Sequence, residues 1–484
     1  MLIINSHYVK KPLISLLASL MTACISPVAT QTATPIRSNY NKVQVWVTTT
    51  DHAKLLTREA DIAFSDAAPL GTNIEVDASV RYQKIVGFGA AITDASAWLI
   101  QNKMSAEQRT ALLSELFGGA PNLGLSFTRL TIGASDFSRN HYSFDDMPKG
   151  QTDTPLAHFS IDANRADVLP TVKSALAINP KLLVMASPWS APAWMKTNDS
   201  LVKGSLRPEA YGVFSEYLAR YIEAYTKEGV PIYAITLQNE PHFEPENYPG
   251  MRVDPAARAN LIGQHIGPVF EKHGLNTHIL DWDHNWDEPN SPLAVLANKT
   301  ANSYVNGIAW HCYAGEVGAQ KTVRNAYPEK DVYVTECSGG EWNQDGLTWL
   351  TRNLIIDATR NWAKGVLLWN MALDENHGPH LGGCGDCRGV VTINSNTGEV
   401  SRNAEYYVLA HASRFVRQGA HRIESSTVNG KVETVAFQNN DDASLAIIAA
   451  NSTTSAQEFS MRYAKKTIQY TLPAKSIATF TWQP

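Results

Sequence analysis

Residues 208–241 read PEAYGVFSEYLARYIEAYTKEGVPIYAITLQNEP. The first part, Pro208–Glu228, has the patterning of a helix, and Ile232–Thr236 is a short run that is apolar on both faces. A strand of that kind is expected in a parallel sheet covered by helices. The run ends in a polar cluster, Gln238-Asn239-Glu240-Pro241. The same unit recurs along the chain. Candidate strands are Ile85–Phe88, Leu125–Leu130, Leu182–Ala186, Ile232–Thr236, His278–Leu280, Gly307–Trp310, Val332–Thr335 and Val366–Trp369. Helical stretches such as Ser105–Phe117, Pro255–His273 and Trp342–Ala363 lie between them. Eight such units across residues 81–404 predict a (β/α)8 TIM barrel. The alternative, an open doubly wound sheet, would be expected to show G-x-G-x-x-G after a strand, and none does.

Two β regions flank this middle. Val43–Val47 alternates and is followed by Ile74-Glu75-Val76; near the other end come Val432–Gln438, Ser444–Ala450, Thr467–Leu472 and Ile477–Trp482. Short strands separated by Gly, Asn, Asp and Pro suggest a small sandwich. The early strands have no partners of their own, so residues 43–80 and 405–484 are expected to form one split domain. The fold class is therefore α/β: a TIM barrel with a β-sandwich satellite built from both chain ends.

Ahead of this, Lys10 and Lys11 precede an apolar run from Pro12 to Met21, then Thr22-Ala23-Cys24. That is the layout of a signal peptide over residues 1–23, too short for a permanent membrane span. Ala23-Cys24 resembles a lipobox, making Cys24 a lipidation candidate. The expected destination is outside the cytoplasm, as a membrane-anchored lipoprotein or a secreted protein. Residues 24–42, rich in Thr, Pro, Ser and Asn, read as a linker.

The 484 residues are 44% hydrophobic and 18% charged, which suits a globular chain large enough to fold without a metal or disulfide scaffold. A formal charge of −5 gives no basic surface for nucleic acid. Twelve Trp and eighteen Tyr suit either core packing or platforms for a flat, hydroxylated ligand such as a sugar.

Barrel active sites form at the C-terminal ends of the strands. Here those ends carry Asp94, Arg129, Asp136, Trp189, Asn239, Glu240, Asp281, Asp283, His311, Tyr313, Glu336, Trp369 and Asn370. Glu240 and Glu336 close the fourth and seventh strands, across the mouth from one another. Glycoside hydrolysis needs two such carboxyl groups, one to protonate the leaving oxygen and one to attack the anomeric carbon or activate water.

Several motifs together resemble glycoside hydrolase family 30, which includes acid β-glucosylceramidase and microbial β-1,6-glucanases. They are Gly87-Phe88-Gly89-Ala90-Ala91-Ile92-Thr93-Asp94, Ala134-Ser135-Asp136-Phe137-Ser138, the run from Ala186 to Asn198, Gln238-Asn239-Glu240-Pro241, Thr335-Glu336 and Trp369-Asn370. The resemblance implies a retaining mechanism without metal or organic cofactor, Glu336 as nucleophile and Glu240 as acid/base. It implies that Asp136, Trp189 and Trp369 grip the terminal sugar, and that Asn239 donates to its 2-hydroxyl. Tyr313 and Arg129 are the candidates to keep Glu336 ionised. His311 and Asn370 are further substrate-binding candidates, and one of Trp194, Trp282, Trp286 and Trp310 is expected to line an outer subsite. The charge of Glu336 is expected to raise the pKa of Glu240.

Cys384-Gly385-Asp386-Cys387 lies in a loop after the eighth strand. In an exported protein a disulfide between Cys384 and Cys387 is favoured, since a redox motif would need a thioredoxin-type unit. Zinc would need two more ligands, and Cys312 and Cys337 are expected to point away from the lumen. Three functions remain in play: a retaining β-glucosidic hydrolase with β-1,6-glucan as substrate, a glucosylceramidase-like enzyme, and an inactive carbohydrate-binding lipoprotein. Both glutamates being present favours an enzyme.

Overall fold

The computed structural model describes residues 42–343 and 345–484. The expected signal peptide, the linker up to residue 41 and Cys24 lie outside the described residues. Eight strands close a barrel: β1 (Gly87–Ala91), β2 (Phe127–Ile132), β3 (Leu183–Pro188), β4 (Ile232–Thr236), β5 (His278–Asn285), β6 (Val305–His311), β7 (Asp331–Glu336) and β8 (Ala363–Asn370). All neighbours in the ring are parallel, and β8 pairs with β1 to close it.

The barrel is a packed core rather than a pore. Phe127, Met185, Ala234, Leu280, Ala309, Tyr333 and Leu367, one from each of seven strands, form a single buried cluster. Gly89 is required where β1 meets β2, because a Cβ there would lie 1.8 Å from the carbonyl oxygen of Phe127. Outside the ring, the helix Tyr211–Lys227 buries Phe214, Leu218, Tyr221, Ile222 and Tyr225, a stripe at helical spacing that faces the strands. The expected helix over Pro255–His273 is continuous but carries a π turn at Leu261–Ile266. The one expected from Trp342 begins at Gly346 and also contains a π turn, Thr351–Asp357.

The satellite is one ten-stranded antiparallel and mixed sheet that uses both chain ends. Lys42–Thr49 pairs with Ser476–Trp482, and Thr72–Lys84 pairs with His421–Ser425 and Gln457–Tyr463. His421–Ser425 and Gln457–Tyr463 were not among the expected strands. Val43, Val45, Val47, Ile74, Phe459, Phe480 and Trp482 share its core. Trp46 turns the other way, onto Phe415 at 4.7 Å between ring centroids.

His411 sits buried in the seam between the two parts, 2.8 Å from Thr48 Oγ1 and 2.9 Å from Thr479 Oγ1. Burial, followed by the charge of Arg414, pushes its pKa down to about 3. No described helix is long and apolar enough to cross a membrane.

Candidate active site

The expected residues converge at the C-terminal mouth of the barrel. Glu336 is the last residue of β7. Its Oε2 accepts from Arg129 Nη1 at 2.5 Å, and its Oε1 accepts from the Tyr313 hydroxyl at 2.9 Å. Arg129 projects from β2 and is fully buried. It also donates to Asn239 Oδ1 at 2.7 Å, Asp283 Oδ2 at 2.8 Å and Ser187 Oγ at 3.2 Å. A buried charge is tolerated only when paired and fully hydrogen-bonded, and here every side of the guanidinium is used. Its flat face also lies 4.8 Å from Trp189 and 5.5 Å from Trp369, two rings stacked on each other at 5.0 Å.

Asp283, expected only as a strand-end residue without a role, is a hub. Arg129, Ser187, Thr236, His311 and Thr335 all donate to its carboxylate. Burial alone would favour the neutral acid, but Arg129 and the other donors hold it far below the usual carboxylate range. Asp283 and its neighbour Trp282 have φ values of 55° and 80°, and Glu240 has 46°. Left-handed backbone at non-glycine residues is strained and clusters at functional sites. The Glu240 amide donates to the Asp283 carbonyl at 3.0 Å, so these strained segments brace one another.

Glu240 lies among imidazoles. Its Oε1 is 3.1 Å from His311 Nδ1 and 3.4 Å from His284 Nδ1. His311 Nε2 is 3.0 Å from Asp283 Oδ1 and 3.9 Å from Glu336 Oε2, so one ring spans the gap between the two glutamates. Burial opposes a charged His311, but Glu336 and the bonds to Asp283 and Glu240 outweigh it and lift the pKa to about 9. For Glu240, burial pushes the pKa up, yet His284 and His311 overrule it and hold the carboxyl below its ordinary range. That reverses the expected direction: the imidazoles within hydrogen-bonding reach outweigh the charge of Glu336. Asp136 goes the other way, raised first by burial and then by Glu336 and Glu240.

Asp136, Glu240, Tyr313, Glu336 and Trp369 line a cavity of about 490 Å³. Arg129, Trp189, Asn239, His311 and Asn370 are absent from its wall and form the layer behind it. Asn370 accepts from Thr93 Oγ1 at 2.9 Å, and its buried Nδ2 has no partner in the protein. Trp194, Trp282, Trp286 and Trp310 are all buried, and none is on the wall of this cavity. The exposed aromatics at the cavity are instead Trp342 (55% exposed), Phe243 and Tyr313.

Cys384 and Cys387 are joined, and their loop closes over Asp136: Leu381 N donates to the Asp136 carbonyl at 2.8 Å, and a Cβ on Gly383 would meet the Asp136 carboxyl at 2.5 Å. Cys312 and Cys337 form a second disulfide between the ends of β6 and β7. That pairing was not foreseen, although each cysteine directly follows a strand-end residue, His311 or Glu336, of neighbouring strands. Both pairs being oxidised leaves none of these four thiols for zinc. The only group of described residues that converges metal-ligating atoms is Glu240, His284 and His311.

Residues 85–416 match the family model for the glycosyl hydrolase family 30 TIM-barrel domain, and residues 419–480 match that for the family 30 beta sandwich domain. The chain belongs to glycosyl hydrolase family 30. It is 35% identical over 389 residues to an endo-1,6-beta-D-glucanase of Neurospora crassa, spanning 77% of this chain and 80% of the relative. It is 26% identical over 426 residues to a putative glucosylceramidase of Caenorhabditis elegans, spanning 83% and 81%. The solved structure of the endo-beta1,6-glucanase BT3312 superposes with a TM-score of 0.84 at 32% identity, covering 91% of this chain and 99% of that one. As a family 30 member the protein is an O-glycosyl hydrolase acting on β-glycosides.

Proposed function

We propose that the chain is a retaining β-1,6-glucanase with Glu336 as nucleophile and Glu240 as acid/base. The observation that carries this reading is the asymmetry of the two glutamates around one cavity. Glu336 is bonded to a buried guanidinium and a phenol, whereas Glu240 is bonded to the His311 imidazole and approached by that of His284. Relatives and a solved neighbour named as endo-1,6-glucanases, at 32–36% identity, supply the linkage.

In this reading the terminal sugar enters the cavity against Trp369 and Asp136. Asp136, raised toward its neutral form, both donates to and accepts from sugar hydroxyls. Asn239 lies just behind the cavity wall with its oxygen committed to Arg129, which leaves its amide N–H2 as the group that would reach the 2-hydroxyl. Glu336 attacks the anomeric carbon while Glu240 protonates the departing glycosidic oxygen. The proton comes from the Glu240–His311 hydrogen bond. Substrate expels water and deepens the burial of Glu240, which favours the carboxylic acid over the carboxylate. Glu240, now ionised, then takes a proton from the water that cleaves the glycosyl-enzyme ester.

Following the reducing-end anomers by NMR during β-1,6-glucan hydrolysis tests the mechanism. Retention requires the β-anomer first, and an early α-anomer would overturn it. Glu336→Gln and Glu240→Gln should each lose turnover by orders of magnitude; a mere binding protein would have none to lose. A second reading, hydrolysis of β-glucosyl lipids, draws support from the apolar side chains Phe243, Trp342 and Leu381 exposed around the mouth. Comparing kcat/KM on β-1,6-glucan and glucosylceramide separates the two. Export is also part of the proposal, supported by the leader-like first residues and by two disulfides.

A further inference from the structure

We propose that Glu240, His284 and His311 form a binding site for a divalent transition-metal ion of the Zn²⁺ or Cu²⁺ kind, and that filling it switches hydrolysis off. The loss of hydrolysis rests on Glu240 being the acid/base; the metal site itself does not.

The ligand atoms are already gathered. Glu240 Oε1 lies 3.1 Å from His311 Nδ1 and 3.4 Å from His284 Nδ1, and all three lie within 4.8 Å of one another. A tetrahedral ion with bonds of about 2.0–2.2 Å holds its ligand atoms roughly 3.3–3.5 Å apart. The existing hydrogen bonds do not use up this set. His284 Nδ1 is buried and makes no proper hydrogen bond, although it points at Glu240. That orphaned nitrogen is what a metal would engage.

The surroundings suit a cation. His311 Nε2 is 3.0 Å from Asp283 Oδ1, and a carboxylate behind an imidazole fixes the ring so that its other nitrogen faces the ion. Trp282 packs on His284 with centroids 5.2 Å apart and holds that ring in place. Beside the cluster stand two further carboxylates, Asp283 and Glu336, with Arg129 as the counter-charge. Glu240 itself borders the cavity, so an entering ion has a path and a coordination position open to water. Two imidazoles with one carboxylate favour zinc, copper or nickel over magnesium and calcium. A metal on Oε1 displaces the His311 hydrogen bond and withdraws electron density from the carboxylate, so Glu240 can no longer take up and pass on the catalytic proton while the ion is bound.

The test uses untagged, chelator-stripped full-length enzyme. Calorimetric titration with Zn²⁺ should show one equivalent bound, and Cu²⁺ should give an electron paramagnetic resonance spectrum with two nitrogen ligands. Mg²⁺ and Ca²⁺ should give neither binding nor inhibition. Hydrolysis should fall with the same midpoint as the binding isotherm and return with EDTA. His284→Phe should weaken Zn²⁺ binding by about 100-fold, with Glu240→Gln as a second variant if the first fails to fold. No stoichiometric binding to the wild type, or binding unchanged in both variants, would overturn the site. Full activity of Glu240→Gln without metal would sink the acid/base reading instead, while the isotherms would still judge the metal site.

Discussion

Arg129→Lys is the most informative single change. The guanidinium bonds four partners at once: Glu336, Asp283, Asn239 and Ser187. A lysine ammonium keeps the charge but concentrates its donors at one point, so it cannot reach Glu336 and the Asn239–Asp283 side together. At least two charge-assisted bonds are lost, each worth about 1.5–3 kcal/mol. Part of the loss falls on stability, because a buried pair deprived of a partner is destabilising by about 3–5 kcal/mol in the extreme case. The rest falls on the proposed nucleophile. Releasing Glu336 from its 2.5 Å anchor lets it drift, and a displacement of about 1 Å in a reacting group reduces turnover by about 10²-fold. Arg129 is not on the cavity wall, so substrate affinity should barely move. Expected values on β-1,6-gluco-oligosaccharides are a kcat lower by about 10²–10³-fold, equivalent to about 2.7–4 kcal/mol of barrier, with KM within about threefold. Reducing-sugar release gives the kinetics, and a melting curve gives the stability loss. A variant that keeps kcat within about fivefold of wild type would refute the claim that this fork positions Glu336.

Tyr313→Phe removes the 2.9 Å bond to Glu336 from a partly exposed residue, so the expected loss of kcat is nearer the low end, about 10-fold, with little change in melting temperature. His411 makes stability depend on pH. Its folded pKa of about 3 lies below the unfolded value of 6.5, so its contribution is complete above about pH 6.5 and is lost as pH falls toward 3, by about 1.4 kcal/mol per unit. His411→Gln should flatten denaturant-measured stability between pH 6.5 and 4; parallel wild-type and variant curves would exclude the effect. Cys312→Ser opens a crosslink with a sequence separation of 25, and unfolding free energy should fall by about 3–4 kcal/mol, read as a lower denaturant midpoint. An unchanged midpoint would mean that neighbouring strand contacts already hold these ends.

The barrel was legible because its strands are apolar runs in a matrix of amphipathic helices, and the residues ending those runs were legible as a site because a barrel gathers strand ends. Glu240, Glu336, Arg129 and Tyr313 followed from that logic alone. The same logic failed where polarity begins before the strand ends. His278–Leu280 looked like a complete strand, yet β5 continues through Asp281, Trp282, Asp283 and His284 to Asn285. The Asp283 carboxylate bonds only to side chains from other strands, which leaves no pattern along its own stretch, so its place at a strand end was legible but its part as a hub was not. Cys312–Cys337 was within reach, since both cysteines directly follow the last residue of neighbouring strands. Gln457–Tyr463 was legible but not expected: Glu458-Phe459-Ser460-Met461-Arg462-Tyr463 alternates polar and apolar residues at the strand period, and Phe459 and Met461 are buried.

The divided labour of the site follows from which donors each carboxylate has. Asp283 takes five, including a guanidinium, and stays an anion that anchors the rest. Glu336 takes Arg129 and Tyr313, and neither gives up its proton near neutrality: arginine stays charged, and burial and the charge of Glu336 push Tyr313 well above the usual phenol range. Those bonds fix the carboxylate without offering it a proton to take. Glu240 alone has an imidazole donor, His311, with no guanidinium or phenol bonded beside it, and imidazole is the side chain whose ordinary proton exchange lies nearest neutrality. The same choice of donors exposes Glu240 to metal. A carboxylate flanked by imidazoles can share a proton, and it can share a dication for the same reason.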